Sequence, residues 1–251
     1  MKLCVIPARG GSKRIPQKNI RLFAGKPIIA YSIQTALRSA LFDKVIVSTD
    51  DMAIAKVAKE FGAEIPFMRP NHLADDFTGT NSVVKHAIAW YEERGHAIDY
   101  ACCIYATAPF LQIEYLREGF EKLVSSGKAF AFSVTTFSFP IQRALRMTAN
   151  SSVEAIFPEN VAKRSQDLEE TYHDAGQFYW GTAEAFLNDL VTFSDISVPV
   201  CVPRHLVQDI DTLEDWDLAE KMYHVLKMME DEQSASHRAP VEHRSGHRFR
   251  G

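Results

Sequence analysis

The sequence predicts a single α/β domain built around a mostly parallel sheet, and three observations predict it. Apolar runs that read as strands alternate with helix-like stretches through the first half, the pattern of right-handed βαβ units. A chain of 251 residues with 46% hydrophobic content is long enough to bury one full core. The first apolar run passes directly into a glycine-containing basic loop, as expected where a parallel strand delivers its carboxyl end to a ligand.

The elements follow in order. Leu3-Cys4-Val5-Ile6 is the first buried strand. Residues 27–39 carry apolar positions at Ile29, Ile33, Ala36 and Leu37 and read as a helix with Pro27 in its first turn. Residues 44–49 form the second strand, and Asp50 is expected to cap a helix over 52–61 that stops at Gly62. A third helix is expected over 80–94, with Val84, Ala87, Ile88 and Tyr91 on one face, followed by a strand over 99–105.

The second half changes character. Residues 129–139, 143–147 and 153–157 look extended, with polar turn residues at 148–152, so an antiparallel excursion is expected across about 135–180. Strand patterning resumes at 176–181 and 196–202. A long amphipathic helix over 212–229 starts beside Asp211. The domain is therefore expected to span 1–230, with 231–251 a disordered basic tail rich in Ser, His and Arg.

Composition narrows the function classes. The formal net charge of -4 argues against nucleic acid as a partner, because the positive charge is concentrated in the first loop and in the last fourteen residues. No segment approaches the roughly 18 apolar residues of a membrane span, and no cleaved secretory signal is indicated. The four cysteines, Cys4, Cys102, Cys103 and Cys201, lie in apolar runs without metal-ligand spacing. Buried thiols in a reducing cytoplasm are the expectation.

Three polar constellations carry the chemistry. In the first loop, Gly10 and Gly11 allow close backbone approach, and Arg9, Lys13, Arg14 and Lys18 supply charge suited to a polyphosphate. The loop fits neither the phosphate-loop spacing nor the dinucleotide fingerprint. The plainer alternative is a solvated turn. The second constellation is Asp209-Ile210-Asp211, whose carboxylates fall on one side of an extended backbone and suit a hard cation such as Mg²⁺ beside a triphosphate. Its alternative is that Asp211 caps the following helix while Asp209 is solvated. The third is Arg164-Ser165-Gln166-Asp167-Leu168 with the segment from Tyr172 to Trp180, dense in donors and aromatic rings. It suits either a carbohydrate or an interface. The Thr107 region, at a strand's carboxyl end, is expected to share the first loop's crevice.

The run Ile6-Pro7-Ala8-Arg9-Gly10-Gly11-Ser12-Lys13-Arg14-Ile15-Pro16-Gln17-Lys18-Asn19 resembles the signature of the cytidylyltransferases that activate nonulosonic acids. Val47-Ser48-Thr49-Asp50, Arg69-Pro70, Arg164 to Leu168 and Asp209-Ile210-Asp211 extend the resemblance over about residues 1–228. It implies a three-layer, mostly parallel Rossmann-like sheet of the nucleotide-diphospho-sugar transferase type, with CTP, Mg²⁺ and a homodimer whose excursion completes the partner's site. Carried over by motif, Arg9, Gly10, Ser12, Lys13 and Lys18 meet the triphosphate, with Lys18, Arg9 and Lys13 stabilising the charge that develops in transfer. Asn19, Arg69 and Thr80 recognise the cytidine portion. Asp209 and Asp211 hold the metal. The sugar falls to Tyr105, Thr107, Arg164, Gln166, Asp167, Tyr172, His173, Gln177 and Tyr179.

Two departures from the N-acetylneuraminate members point within the family. Tyr105-Ala106-Thr107-Ala108-Pro109 replaces a Gln-Pro-Thr-Ser-Pro-like segment, and Asp174-Ala175-Gly176-Gln177-Phe178-Tyr179-Trp180-Gly181 replaces an Asn-Gly-Ala-x-Tyr-like one. Both are similar to the pseudaminic acid branch, whose less polar sugar suits more aromatic lining. The expected reaction is transfer of CMP from CTP to the anomeric C2 hydroxyl of pseudaminic acid. The same transfer to N-acetylneuraminic or legionaminic acid is the nearest alternative. A nucleotide-binding regulator without turnover is the alternative from another class, against which Lys18, Asp209 and Asp211 argue.

Overall fold

The structure, a computed structural model, describes residues 1–75 and 77–238. In chain order the elements are β1 Lys2–Pro7, β2 Leu22–Phe23, β3 Lys26–Pro27, α1 Ile28–Ser39, β4 Lys44–Ser48, α2 Met52–Glu60, α3 Thr80–Glu92 and β5 Tyr100–Ile104. There follow α4 Ile113–Ser126, β6 Phe130–Thr136, β7 Leu145–Met147, β8 Val153–Ala155, β9 Tyr172–Thr182, α5 Ala183–Leu187, β10 Ser197–Cys201 and α6 Leu213–Arg238.

Six strands form the main sheet in the order β10-β6-β9-β5-β1-β4. β1 runs parallel to β4 and β5, and β10 runs parallel to β6. β9 is antiparallel to both neighbours, β5 and β6. The alternation of side chains along β1 explains the three layers: Cys4 and Ile6 pack with Ile29, Ile33 and Leu116 under α1 and α4, while Leu3 and Val5 pack with Val84, Ile88 and Phe186 under α3 and α5. A strand covered on both faces needs apolar residues at every position, hence the unbroken run Leu3 to Ile6.

A third core fixes α6. Phe23 and Trp216 meet edge to face with centroids 5.5 Å apart, Tyr31 and Tyr223 close the same cluster, and the Ala24 N–H donates to Glu220 Oε1 at 2.5 Å. The β2–β3 turn is tight because Ala24 and Gly25 both take positive φ, 44° and 91°. α6 is thereby docked on the segment that leaves the first loop, and Asp211 with it.

The excursion forms the antiparallel pair β7–β8, with Arg146 opposite Glu154. Several expectations are corrected. Pro27 ends β3 in extended conformation (ψ 134°) and precedes the helix rather than entering its first turn. Cys4, Cys102 and Cys103 are buried, but Cys201 is exposed because β10 is an edge strand. The final helix continues to Arg238, past the expected start of the tail at 231, and the rest of that tail, 239–251, lies outside the described residues.

Candidate active site

From β1 the chain crosses first to β4 on one side and later to β5 on the other, so the loops leaving β1 and β5 diverge. A crevice opens at such a point, beyond the strands' carboxyl ends. It has a volume of about 310 Å³ and gathers Arg9, Ser12, Lys13, Arg14, Lys18 and Asn19 from the first loop, Arg69 and Thr80 from the approach to α3, Tyr105 and Thr107 after β5, and Asp211.

The loop is shaped by its own backbone. Gly10 N–H donates to Asp50 Oδ1 at 2.9 Å, and a Cβ on Gly10 would lie 2.8 Å from Asp51 Oδ2, so only glycine fits against the start of α2. Asp51 caps that helix, accepting from the N–H groups of Ala53 and Ile54 at 2.7 and 3.0 Å. The cap expected of Asp50 therefore belongs to its neighbour, because the Asp50 carboxylate is turned to the loop. Asn19 is buried and donates to the Arg9 carbonyl at 3.0 Å, tying the loop's two ends together. Gln17 takes the left-handed conformation (φ 53°) and turns the chain into the short helical turn that carries Lys18.

Arg69 is 5% exposed, yet charged. Its Nε donates to Ser48 Oγ at 3.1 Å and its Nη2 to the Ser48 carbonyl at the end of β4. Burial pushes its pKa down to about 10 against the opposing pull of Asp50, which leaves a fixed cation in the crevice wall at neutral pH.

Asp211 faces the loop. Its Oδ1 accepts from Lys18 Nζ at 3.2 Å, and its Oδ2 lies 2.8 Å from Arg14 Nη1. It does not cap α6. Thr212 does so through a capping box: the Asp215 N–H donates to Thr212 Oγ1 at 3.2 Å, and the Thr212 N–H donates to Asp215 Oδ2 at 2.8 Å. The Asp209 carboxyl titrates above the ordinary aspartate range, first through desolvation and then through the Asp211 charge, with Lys18 and Arg14 opposing. Among the described residues no group of three or more His, Cys, Asp or Glu could enclose a metal. Two mutually repelling carboxylates fit a hard cation that takes its remaining ligands from phosphate and water, which is the donor set suited to Mg²⁺.

A second cavity of about 420 Å³ adjoins the first, sharing Thr80 and Tyr105. Tyr179, Asp174 and the segment from Asp189 to Phe193 complete its lining. Asn81 Nδ2 donates to Thr192 Oγ1 at 3.0 Å and holds that segment to α3.

The remaining residues assigned to sugar do not converge here within one chain. Arg164 pairs with Asp167 on the exposed excursion, its Nε 2.7 Å from Oδ2, and Gln166 is exposed beside them. Tyr172 donates to Glu170 Oε2 at 2.6 Å, and His173 lines a separate groove with Phe137 and Ser165. Gln177 is buried in β9, its Nε2 donating to the Leu206 carbonyl at 2.5 Å.

The cytidylyltransferase family model matches residues 3–194. The chain belongs to the cytidylyltransferase family. Among its relatives, the pseudaminic acid cytidylyltransferase of Campylobacter jejuni is 45% identical over 223 residues, covering 89% of this chain and 96% of the relative. The CMP-N,N'-diacetyllegionaminic acid synthase of Legionella pneumophila is 34% identical over 88% of this chain and 95% of the relative. A solved CMP:2-keto-3-deoxy-manno-octonic acid synthetase complexed with CTP superposes with a TM-score of 0.64 over 89% of this chain and 98% of the other, at 15% identity, and shows the shared α/β fold.

Sequence reasoning about this cytidylyltransferase missed residues 189–193 of the second cavity's far wall, and named Asp174 only as part of the segment from Tyr172 to Trp180. It also missed Asp75 and Thr78 in the first crevice. The pattern Asp75-x-x-Thr78 was a usable signal: Asp75 Oδ1 accepts from the Thr78 N–H and hydroxyl, both at 2.7 Å, an Asx-type turn that sets the entry to α3.

Proposed function

We propose that this cytidylyltransferase transfers CMP from CTP to the anomeric hydroxyl of pseudaminic acid, giving CMP-pseudaminic acid and diphosphate. The observation that carries the substrate choice is the 45% identity, spread over 96% of a relative that bears that name. The basic crevice supports the nucleotide half of the reading, and the adjoining cavity, lined by Tyr105, Tyr179 and Phe193, supports an acceptor with apolar substituents.

In this reading Arg9, Ser12, Lys13 and Lys18 bind the triphosphate, with the Gly10 backbone approaching it closely, and Arg69, Asn19 and Thr80 recognise the cytidine. The sugar's C2 oxygen bonds to the α-phosphorus as the bond to diphosphate breaks, and the hydroxyl proton is released. Catalysis comes from positioning and from cations aimed at the charge that grows in transfer, with Lys18 the principal one. Asp209 and Asp211 would hold Mg²⁺, which would supply neutralisation of the triphosphate charge.

We also infer a homodimer that works in the cytoplasm. The excursion leaves Phe139 and Met147 83% and 79% exposed, along with Leu145 and Val153, a density of apolar surface that a partner would cover. Across such an interface Arg164, Gln166, Asp167, Tyr172 and His173 reach the partner's acceptor cavity rather than their own. No helix among the described residues is long and apolar enough to cross a membrane.

The test is diphosphate release with CTP and Mg²⁺ on pseudaminate, legionaminate and N-acetylneuraminate separately. The expected result is fastest turnover on pseudaminate, lost on chelation of the metal. Failure with every acceptor would leave the regulator reading.

A further inference from the structure

Tyr31, Gln34 and Arg38 recur at three- and four-residue intervals along α1, so they share one face of that helix. That face meets α6. Tyr31 and Tyr223 pack edge to face with ring centroids 5.1 Å apart, and the Tyr31 hydroxyl is fixed by donating to the Phe23 carbonyl at 2.7 Å. Each ring carries a cation. Lys26 Nζ sits 4.1 Å from the Tyr31 centroid and donates to Gln34 Oε1 at 2.7 Å, while Lys227 Nζ lies 5.7 Å from the Tyr223 centroid.

Arg38 adds a third positive charge, and all three side chains line one cavity of about 80 Å³ between β3, α1, α6 and residues 109–112. Among the described residues no carboxylate lines it. Glu220, two turns before Lys227 on α6, is bonded to the Ala24 N–H instead, and Glu114 lies in the wider groove beyond Arg38 and Gln112. At the cavity's edge Gln112 is the N-cap of α4, whose positive end adds to the charge. Burial first, and then Arg38 and Lys227, push the Lys26 pKa below the ordinary lysine range, so the three cations repel across the space. Three elements far apart in sequence thus deliver like charges to one place, at a cost that a bound anion would offset. The cavity shares no lining residue with either cavity of the candidate active site.

We propose that this cavity is a second anion site, which takes a single phosphate group on Lys26, Arg38 and Lys227. The space equals that of a few water molecules, enough for one tetrahedral oxyanion and far less than a whole nucleotide needs. Arginine offers such a group two parallel donors, and each lysine a point charge. The group is either free phosphate or the end of a phosphate ester. Bound there, it ties β3, α1 and α6 together.

Thermal unfolding of the full chain tests this in inorganic phosphate against chloride at equal ionic strength, using wild type, R38Q/K227Q and the crevice variant K13Q/K18Q. Phosphate stabilises folded proteins generally and also suits the first loop, so the readout is the difference between variants. The wild type is expected to gain about 4 °C more than R38Q/K227Q, the shift given by a ligand about tenfold above its Kd, and K13Q/K18Q to keep that excess. An R38Q/K227Q protein that gains as much as the wild type, or an excess that vanishes in K13Q/K18Q, would overturn the inference. Should either double variant not fold, R38Q and K13Q carry the same comparison singly. Glycerol 3-phosphate in place of phosphate separates the two sources: an equal excess points to the end of a phosphate ester, and its loss to the free ion. The measurement needs no turnover, so its outcome is independent of the acceptor sugar.

Discussion

Lys18 Nζ lies 3.2 Å from Asp211 Oδ1, which brings residues 193 positions apart in the chain into one crevice. Arg14 approaches the other oxygen of the same carboxylate from a side chain that is 67% exposed. An ion pair as open to solvent as that of Arg14 adds little stability. The value of the two pairs is in arranging charge where a nucleotide and its cation would bind.

Asp211→Asn should therefore separate activity from stability. Turnover is expected to fall by about a hundredfold or more, on the scale of losing one preorganised electrostatic group. Unfolding free energy should change by less than about 1 kcal/mol, since the capping box of α6 does not involve the Asp211 side chain. Diphosphate release and denaturant melts of the same preparation check both halves.

Thr212→Ala should do the opposite. It removes the N-cap hydroxyl that accepts from Asp215, at a cost of about 1 kcal/mol, while the Asp211 carboxylate stays in place. Denaturant unfolding should show the loss, and turnover should be largely retained.

The two glycines of the first loop should not be equivalent. A Cβ at Gly10 collides with the Asp51 cap of α2, whereas one at Gly11 meets nothing within 4 Å. Gly10→Ala is expected to lower thermal stability and raise the KM for CTP, and Gly11→Ala to leave the melting temperature unchanged.

The raised Asp209 carboxyl gives a pH signature in the metal-free protein. Its native pKa lies above the unfolded value, so its favourable contribution is fully present below the ordinary aspartate range and is lost as pH rises through the raised value. Asp209→Asn should then be more stable than the wild type at neutral pH, with the difference closing near about pH 3, where the unfolded carboxyl is also protonated. Thermal melts across that range decide it. A difference that does not narrow on acidification would contradict a carboxyl raised by desolvation and by the Asp211 charge.

Much of the architecture was legible because the rules behind it are local. Unbroken apolar runs mark strands covered on both faces, and the 3.6-residue spacing of Val84, Ala87, Ile88 and Tyr91 marks the buried face of α3. The Gly-rich basic loop and Asp209-Ile210-Asp211 were legible because each chemistry needs its residue types close together. Adjacent Asp50 and Asp51 could not be told apart, since the choice of cap depends on where Gly10 N–H points, which is a tertiary fact. The bulge in β9 that brings the Tyr179 hydroxyl onto Asp174 was hidden for the same reason: it is held by Ser133 on another strand, β6. The helix past 231 was missed because composition was weighed over backbone, although no Gly or Pro interrupts the chain between 213 and 239.

A competition between acceptors decides which sugar receives CMP. With CTP, Mg²⁺ and equimolar pseudaminate and N-acetylneuraminate in one reaction, the masses of the products read out the choice directly. CMP-pseudaminate is expected to dominate, formed in step with diphosphate. A product that is mainly CMP-N-acetylneuraminate would rule out pseudaminate as the preferred acceptor.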